Sequence, residues 1–165
     1  MATLATDSAK ATRAVIVRSS EGQTLRWGPA GTVRILAGAA STDRSFSIVE
    51  CVESPGSGAP LHVHHGEAEA FFILEGEVEL TCGDQTVKAQ AGDFVYTPRD
   101  VPHKYCVLGN KSARLLLIFS RPGFENFFAE GGTPLDQPPA GPPDMAKFRK
   151  LVESYAMELL EMPGH

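Results

Sequence analysis

The chain holds three cysteines in 165 residues, Cys51, Cys82 and Cys106, too few and too odd a number for a disulfide framework. Their neighbours are strand-forming, so they are read as reduced core or face residues. A basic cluster is also missing: 15 Lys and Arg stand against 20 Asp and Glu, a net charge of −5. Binding nucleic acid by phosphate neutralisation needs clustered cations, so that class is excluded. No apolar run approaches the length of a membrane span. The longest, Leu115-Leu116-Leu117-Ile118-Phe119, reads as a buried strand. Met1 to Lys10 has neither a basic start nor an apolar core, so no secretory signal is read there and a cytoplasmic location is expected. There is no Gly-x-Ser-x-Gly elbow and no internal repeat. Gly56-Ser57-Gly58 is followed by no helical pattern, which removes the dinucleotide-loop reading.

The length and a hydrophobic content of 42% suit one globular domain with a real core. From Ala14 to Phe119, short strand-like runs alternate with glycine and proline, the spacing of an all-β sandwich or barrel. The predicted strands are 14–18, 24–27, 32–36, 46–53, 61–64, 68–75, 77–82, 85–89, 94–97, 102–108 and 113–120. Glu75-Gly76-Glu77 and Cys82-Gly83-Asp84-Gln85 read as hairpin turns. Residues 1–120 are expected to form N-terminal strands and a barrel. Residues 121–165 add a short helix from Pro122 to Ala129, a Pro-rich linker from Gly131 to Pro143, and a helix from Asp144 to Glu161. Asp144 is its N-cap, and Met145, Phe148, Leu151, Val152, Tyr155, Leu159 and Leu160 are its apolar stripe.

The chemistry concentrates between Gly56 and Gly76. Alternate strand residues share a face, so His62 and His64 point at one spot, and His65 points away as a solvent-facing or supporting residue. Beyond a bend at Gly66, Glu69 can face the same spot, and Glu67, in the turn, shares the ambiguity of His65. Two imidazoles and a carboxylate suit a mid-to-late first-row divalent metal better than Ca or Mg. A fourth candidate ligand, His103, closes the block Gly92-Asp93-Phe94-Val95 to Val101-Pro102-His103. Phe71 and Ile73 share the parity of Glu69, and Tyr105 that of His103, so all three are candidates for a substrate pocket. Phe94 and the 115–119 strand are expected nearby. Which of Val95 and Tyr96 faces inward stays open.

The two blocks match the two signature motifs of the cupin superfamily, and the chain resembles a single-domain cupin. That resemblance implies a double-stranded β-helix, a jelly-roll-like barrel with C-terminal helices, and a metal site made by His62, His64, Glu69 and His103. The second block departs from the motif at Asp100, where glycine is preferred, and at Val107, where asparagine is preferred. Further stretches, including Leu25-Arg26-Trp27-Gly28, Gly123-Phe124-Glu125-Asn126-Phe127-Phe128 and Tyr155 to Leu160, resemble cupins of the quercetin 2,3-dioxygenase-like group. The resemblance implies one divalent transition metal per chain (Fe, Mn, Ni, Co or Cu) and an O2-dependent dioxygenase of a flavonol-like or other enolisable aromatic substrate. Glu69 would take the proton of the substrate hydroxyl. The alternatives are an O2-independent cyclase or isomerase using the metal as a Lewis acid, and a non-catalytic small-molecule binder. A homodimer is expected, with strand 14–18 covering a sheet edge.

Overall fold

The computed structural model describes residues 14–28, 31–138 and 144–161. Twelve strands and two helices follow in order: β1 (Gln23–Trp27), β2 (Gly31–Ala37), β3 (Ser47–Glu53), β4 (Gly58–His64), β5 (Glu69–Glu75), β6 (Glu77–Cys82), β7 (Gln85–Gln90), β8 (Phe94–Thr97), β9 (His103–Val107), β10 (Ala113–Phe119), α1 (Glu125–Gly131), β11 (Thr133–Pro134), α2 (Met145–Ser154) and β12 (Met157–Leu159). Seven strands pair in the order β11-β1-β2-β3-β10-β5-β8, and five in the order β12-β4-β9-β6-β7. Every pairing is antiparallel. The result is the jelly-roll of two facing sheets expected from the sequence, and the described strands do not close it into a barrel.

Strand parity decides what each sheet buries. Val49, Cys51 and Glu53 of β3, Leu115, Leu117 and Phe119 of β10, and Phe71 and Ile73 of β5 all face the space between the sheets. His103, Tyr105 and Val107 of β9 meet them from the other side. The run 115–119 is thus the buried central strand that its composition predicts.

Four local expectations are corrected. Residues 14–18 form no strand, because their neighbouring carbonyls are held by a side chain: the Arg34 guanidinium donates to Arg18, Ser19 and Glu21. Glu75-Gly76-Glu77 is a crossover between sheets and not a hairpin. Gly76 has φ +81°, and a Cβ there would lie 2.8 Å from Cα of Ala113. By contrast, Gly83 and Asp84 do close a two-residue hairpin between β6 and β7. The linker from Gly131 holds β11, which pairs with β1 because Arg26 binds the carbonyls of Pro134, Leu135 and Gln137. Residues 139–143 of that stretch lie outside the described residues.

The fourth correction matters most for the site. The last helix stops at Ser154 instead of Glu161, and Ala156 turns the chain with φ +51° into β12. This strand then pairs with β4, Met157 opposite His64 and Leu159 opposite His62. Asp144 caps α2 as expected, accepting from the backbone N–H of Ala146 and of Lys147. Helix α1 begins at Glu125, whose buried carboxylate accepts from the Ala39 N–H, the Gly123 N–H and the Ser47 hydroxyl. That anchor holds Phe124, Phe127 and Phe128 against the sandwich. Among the described residues no helix is long and apolar enough to cross a membrane.

Candidate metal centre

β4 presents His62 and His64 from alternate positions, β5 begins with Glu69, and β9 begins with His103 directly opposite His62. All four side chains are buried, and their donor atoms lie within 4.8 Å of one another. Nε2 of His62 and of His64 are 3.1 Å apart, and Nε2 of His103 is 3.1 Å from Oε2 of Glu69. Glu69 Oε2 is 3.5 Å from His64 Nε2 and 4.0 Å from His62 Nε2. Donors held at about 2.1 Å by one metal ion stand about 3.0 Å apart at right angles and about 4.2 Å across it. The observed separations fall in or beside that range, so the cluster suits a single metal site.

The other ring nitrogens fix the imidazoles. Nδ1 of His62 meets the Pro60 carbonyl at 2.7 Å, and Nδ1 of His103 meets the Val101 carbonyl at 2.9 Å. Nδ1 of His64 meets Glu67 Oε1 at 2.7 Å. With each Nδ1–H donated outward, loss of the Nε2 proton leaves a lone pair that faces the shared point. Burial, with the His103 charge, lowers the pKa of His62 to about 4. Burial also pulls on His64, but hydrogen bonds to Glu67 and Glu69 outweigh it and raise that group to about 9. Burial disfavours the Glu69 carboxylate, yet hydrogen bonds from His103 and His64 hold its pKa below the usual carboxylate range.

The supporting residues divide as follows. His65 is turned outward, as parity requires, and lies between Asp100 at 2.7 Å and Glu158 at 3.4 Å. Glu67 is buried as the partner of His64, a role that its place in a turn leaves undecided in the sequence. Asp100, standing where glycine is preferred, adopts φ +66° and donates its N–H to the His64 carbonyl, a conformation aspartate tolerates better than most residues.

A partly open cavity of about 100 Å³ adjoins the cluster and has His62, His64 and Glu69 in its wall. Tyr105 lines it. Phe71 and Ile73 do not: both are fully buried behind it, with Phe71 packed edge-on against Tyr105 at 5.5 Å. Phe94 is 59% exposed and Tyr96 points outward with it, so Val95 is the inward residue of β8. The aromatic wall comes from Trp27, Phe124, Phe127, Phe128 and Phe148 instead, with Met157 and Leu159 of β12 beside it. Period-two alternation at Met157 and Leu159 is the signal that could have placed β12 there. Glu53 lines the cavity too, and its only sequence signal is an acid at an inward position of a strand. A larger groove of about 530 Å³ runs between α2 and β12, but no cluster residue lines it.

Residues 49–119 match the family model described as Cupin domain. Quercetin 2,3-dioxygenase of Bacillus subtilis (strain 168) is 28% identical over 121 residues, 73% of this chain and 35% of that protein. The chain thus spans about a third of that dioxygenase's length. A solved predicted oxalate decarboxylase from Thermotoga maritima shares 27% identity, with a TM-score of 0.59 over 65% of this chain and 99% of that one. KdgF from Halomonas sp. superposes with a TM-score of 0.61 at 15% identity, over 68% of this chain and 99% of that one, a likeness of fold alone. The family match runs from β3 to the end of β10 and takes in every strand that carries a cluster residue: this stretch of the chain is a cupin domain.

Proposed function

We propose that the chain is a metal-dependent dioxygenase of a compact enolisable or phenolic compound. One observation carries the reading: three Nε2 atoms and one carboxylate oxygen converge on a single buried point in the wall of a mostly apolar cavity. His62, His64, Glu69 and His103 would hold one divalent transition ion, which supplies Lewis acidity and open positions for a substrate oxygen and O2. The distant similarity to a quercetin dioxygenase supports oxygenation over the O2-independent chemistries.

The chain's own residues account for binding and proton transfer. Glu69, kept ionised among the imidazoles, takes the proton of the substrate hydroxyl and leaves an enolate or phenolate oxygen. Glu67, Pro60 and Val101 hold the three rings in the tautomer that presents Nε2 inward. The phenylalanines of α1, with Trp27 and Phe148, exclude water and receive the flat face of the substrate.

Cavity size limits that substrate. An apolar cavity of about 150 Å³ accepts benzene, and drug-sized ligands occupy roughly 300–1,000 Å³. A space of about 100 Å³, partly open to solvent, encloses no more than one ring and is too small for a three-ring flavonol. Among the described residues no Lys or Arg lines the cavity, so a small dianion finds no counter-charge from them there. The test is metal analysis of purified protein, followed by O2 consumption with monocyclic catechols and enediols after reconstitution with each candidate ion. Turnover that continues in anaerobic buffer would overturn the oxygenase reading.

A further inference from the structure

The cavity has a second carboxyl group that the chemistry above does not use. Glu53 ends the inward ladder of β3 and is 6% exposed. Ser57 Oγ donates to its Oε2 at 2.7 Å, and the Tyr105 hydroxyl reaches its Oε1 at 3.4 Å. Glu50, on the opposite face of the same strand, shows how this fold treats an acid held for structure: Arg34 and Arg114 both pair with it, at 2.6 and 2.9 Å. Glu53 has hydroxyl partners and, among the described residues, no cation. Burial pushes its carboxyl above the usual range, against the hydrogen bonds from Ser57 and Tyr105. The backbone is drawn in close around this corner. A Cβ on Gly31 would lie 3.0 Å from Glu53 Oε2, and one on Gly58 would lie 2.0 Å from the Tyr105 carbonyl oxygen.

The long 3.4 Å contact leaves Tyr105 and Glu53 able to turn to a third partner. His103 and Tyr105 are two residues apart on β9, about 7 Å along the strand. That is roughly the span of one ring with an oxygen at each end. We propose that Glu53 and Tyr105 form the far recognition pole of the cavity, accepting a neutral hydroxyl on a one-ring phenolic substrate and rejecting a carboxylate there. The proposal rests on the reading of the cluster as the pole that receives the phenolic oxygen. Glu53 is on this account a positioning and specificity residue, outside the reacting atoms. An alcohol exchanges hydrogen bonds with the Glu53 carboxyl and the Tyr105 hydroxyl. A carboxylate meets another acid, with no Lys or Arg among the described residues of the wall to offset it.

Three probes isolate the far pole: 4-methylcatechol, 3,4-dihydroxybenzyl alcohol and 3,4-dihydroxybenzoate. Trp27 is the single tryptophan of the chain and lines the cavity, so its fluorescence reports occupancy. With Ni2+-loaded protein under argon, the alcohol should bind about tenfold tighter than the methyl compound, and the benzoate weakest of the three. Glu53→Leu should bring the alcohol and methyl compounds to near-equal affinity. Glu53→Gln, which keeps the shape and the hydrogen bonds, should retain the alcohol preference and bind the benzoate about tenfold better; it carries the test if the leucine variant does not fold. A different wild-type ranking, no binding of any probe, or a ranking unchanged in the Glu53 variants overturns the far pole. O2 consumption with that unchanged ranking overturns the far pole alone. The expected rankings without any O2 consumption overturn the oxygenase reading alone.

Discussion

Glu67 and His64 are bound to each other inside the protein, Oε1 to Nδ1 at 2.7 Å, with both side chains buried. One turn residue therefore fixes the orientation of one ligand ring. Glu67→Ala should lower metal affinity by about 10- to 100-fold, measured by competition with a chelator of known affinity. His65→Ala should leave the affinity within about twofold of the unaltered protein, because that ring faces Asp100 and Glu158 at the surface.

Metal uptake should depend on pH through His64. In the metal-free protein its pKa is about 9, so at neutral pH the ring carries a proton that an incoming ion must displace. Affinity should rise about tenfold per pH unit from 7 towards 9 and flatten above that. His62, at about 4, is already neutral and adds nothing to the slope. The same raised value stabilises the metal-free fold. That contribution is complete below the unfolded value of 6.5 and is lost as pH rises through about 9, on the order of 3 kcal/mol at most. Chelator competition and urea unfolding at pH 6.5, 7.5 and 8.5 check both trends.

Glu69→Gln should separate holding the metal from moving the proton. Three imidazoles remain, so the variant should retain substantial metal when reconstituted with excess ion. An amide takes no proton, and kcat on a monocyclic catechol should fall by about 100-fold or more. Metal content and kcat are read on the same samples. Near-normal turnover with metal present would show that another group is the base.

Ala156 sits at φ +51° between α2 and β12, a conformation that costs an L-residue about 1 kcal/mol and glycine almost nothing. Ala156→Gly should therefore leave stability unchanged or raise it by up to about 0.5 kcal/mol, although it loosens the unfolded chain. Thermal unfolding measures this. A clear loss would mean that the turn depends on the alanine side chain.

The four cluster residues are legible in the sequence because each stands at a strand position whose parity is set by its neighbours. The strands around them are legible for the same reason, usually to within one or two residues. The C-terminal segment is not. Met157, Leu159 and Leu160 extend the helical stripe of α2 and equally satisfy strand alternation, and nothing local announces that Ala156 will turn the chain. Glu53 and Glu67 stay hidden for a different reason. A glutamate near a strand end usually faces solvent, and only the opposite sheet, with Tyr105 and His64, shows that these two do not. Phe71 and Ile73 face inward as parity requires, but how deep they lie depends on Tyr105 standing between Phe71 and the cavity.

β12 covers the sheet edge beside the two ligand histidines, and three backbone bonds flanking its ladder tie residues far apart in the chain. Its ladder pairs Met157 with His64 and Leu159 with His62. The His65 N–H donates to the Ala156 carbonyl, and the N–H groups of Leu160 and Glu161 both donate to the Leu61 carbonyl. Local opening of this strap and release of an ion from β4 are then linked equilibria, each biasing the other by the same free energy. Amide exchange at residues 157–161 becomes a gauge of what occupies a site to which those residues contribute no ligand.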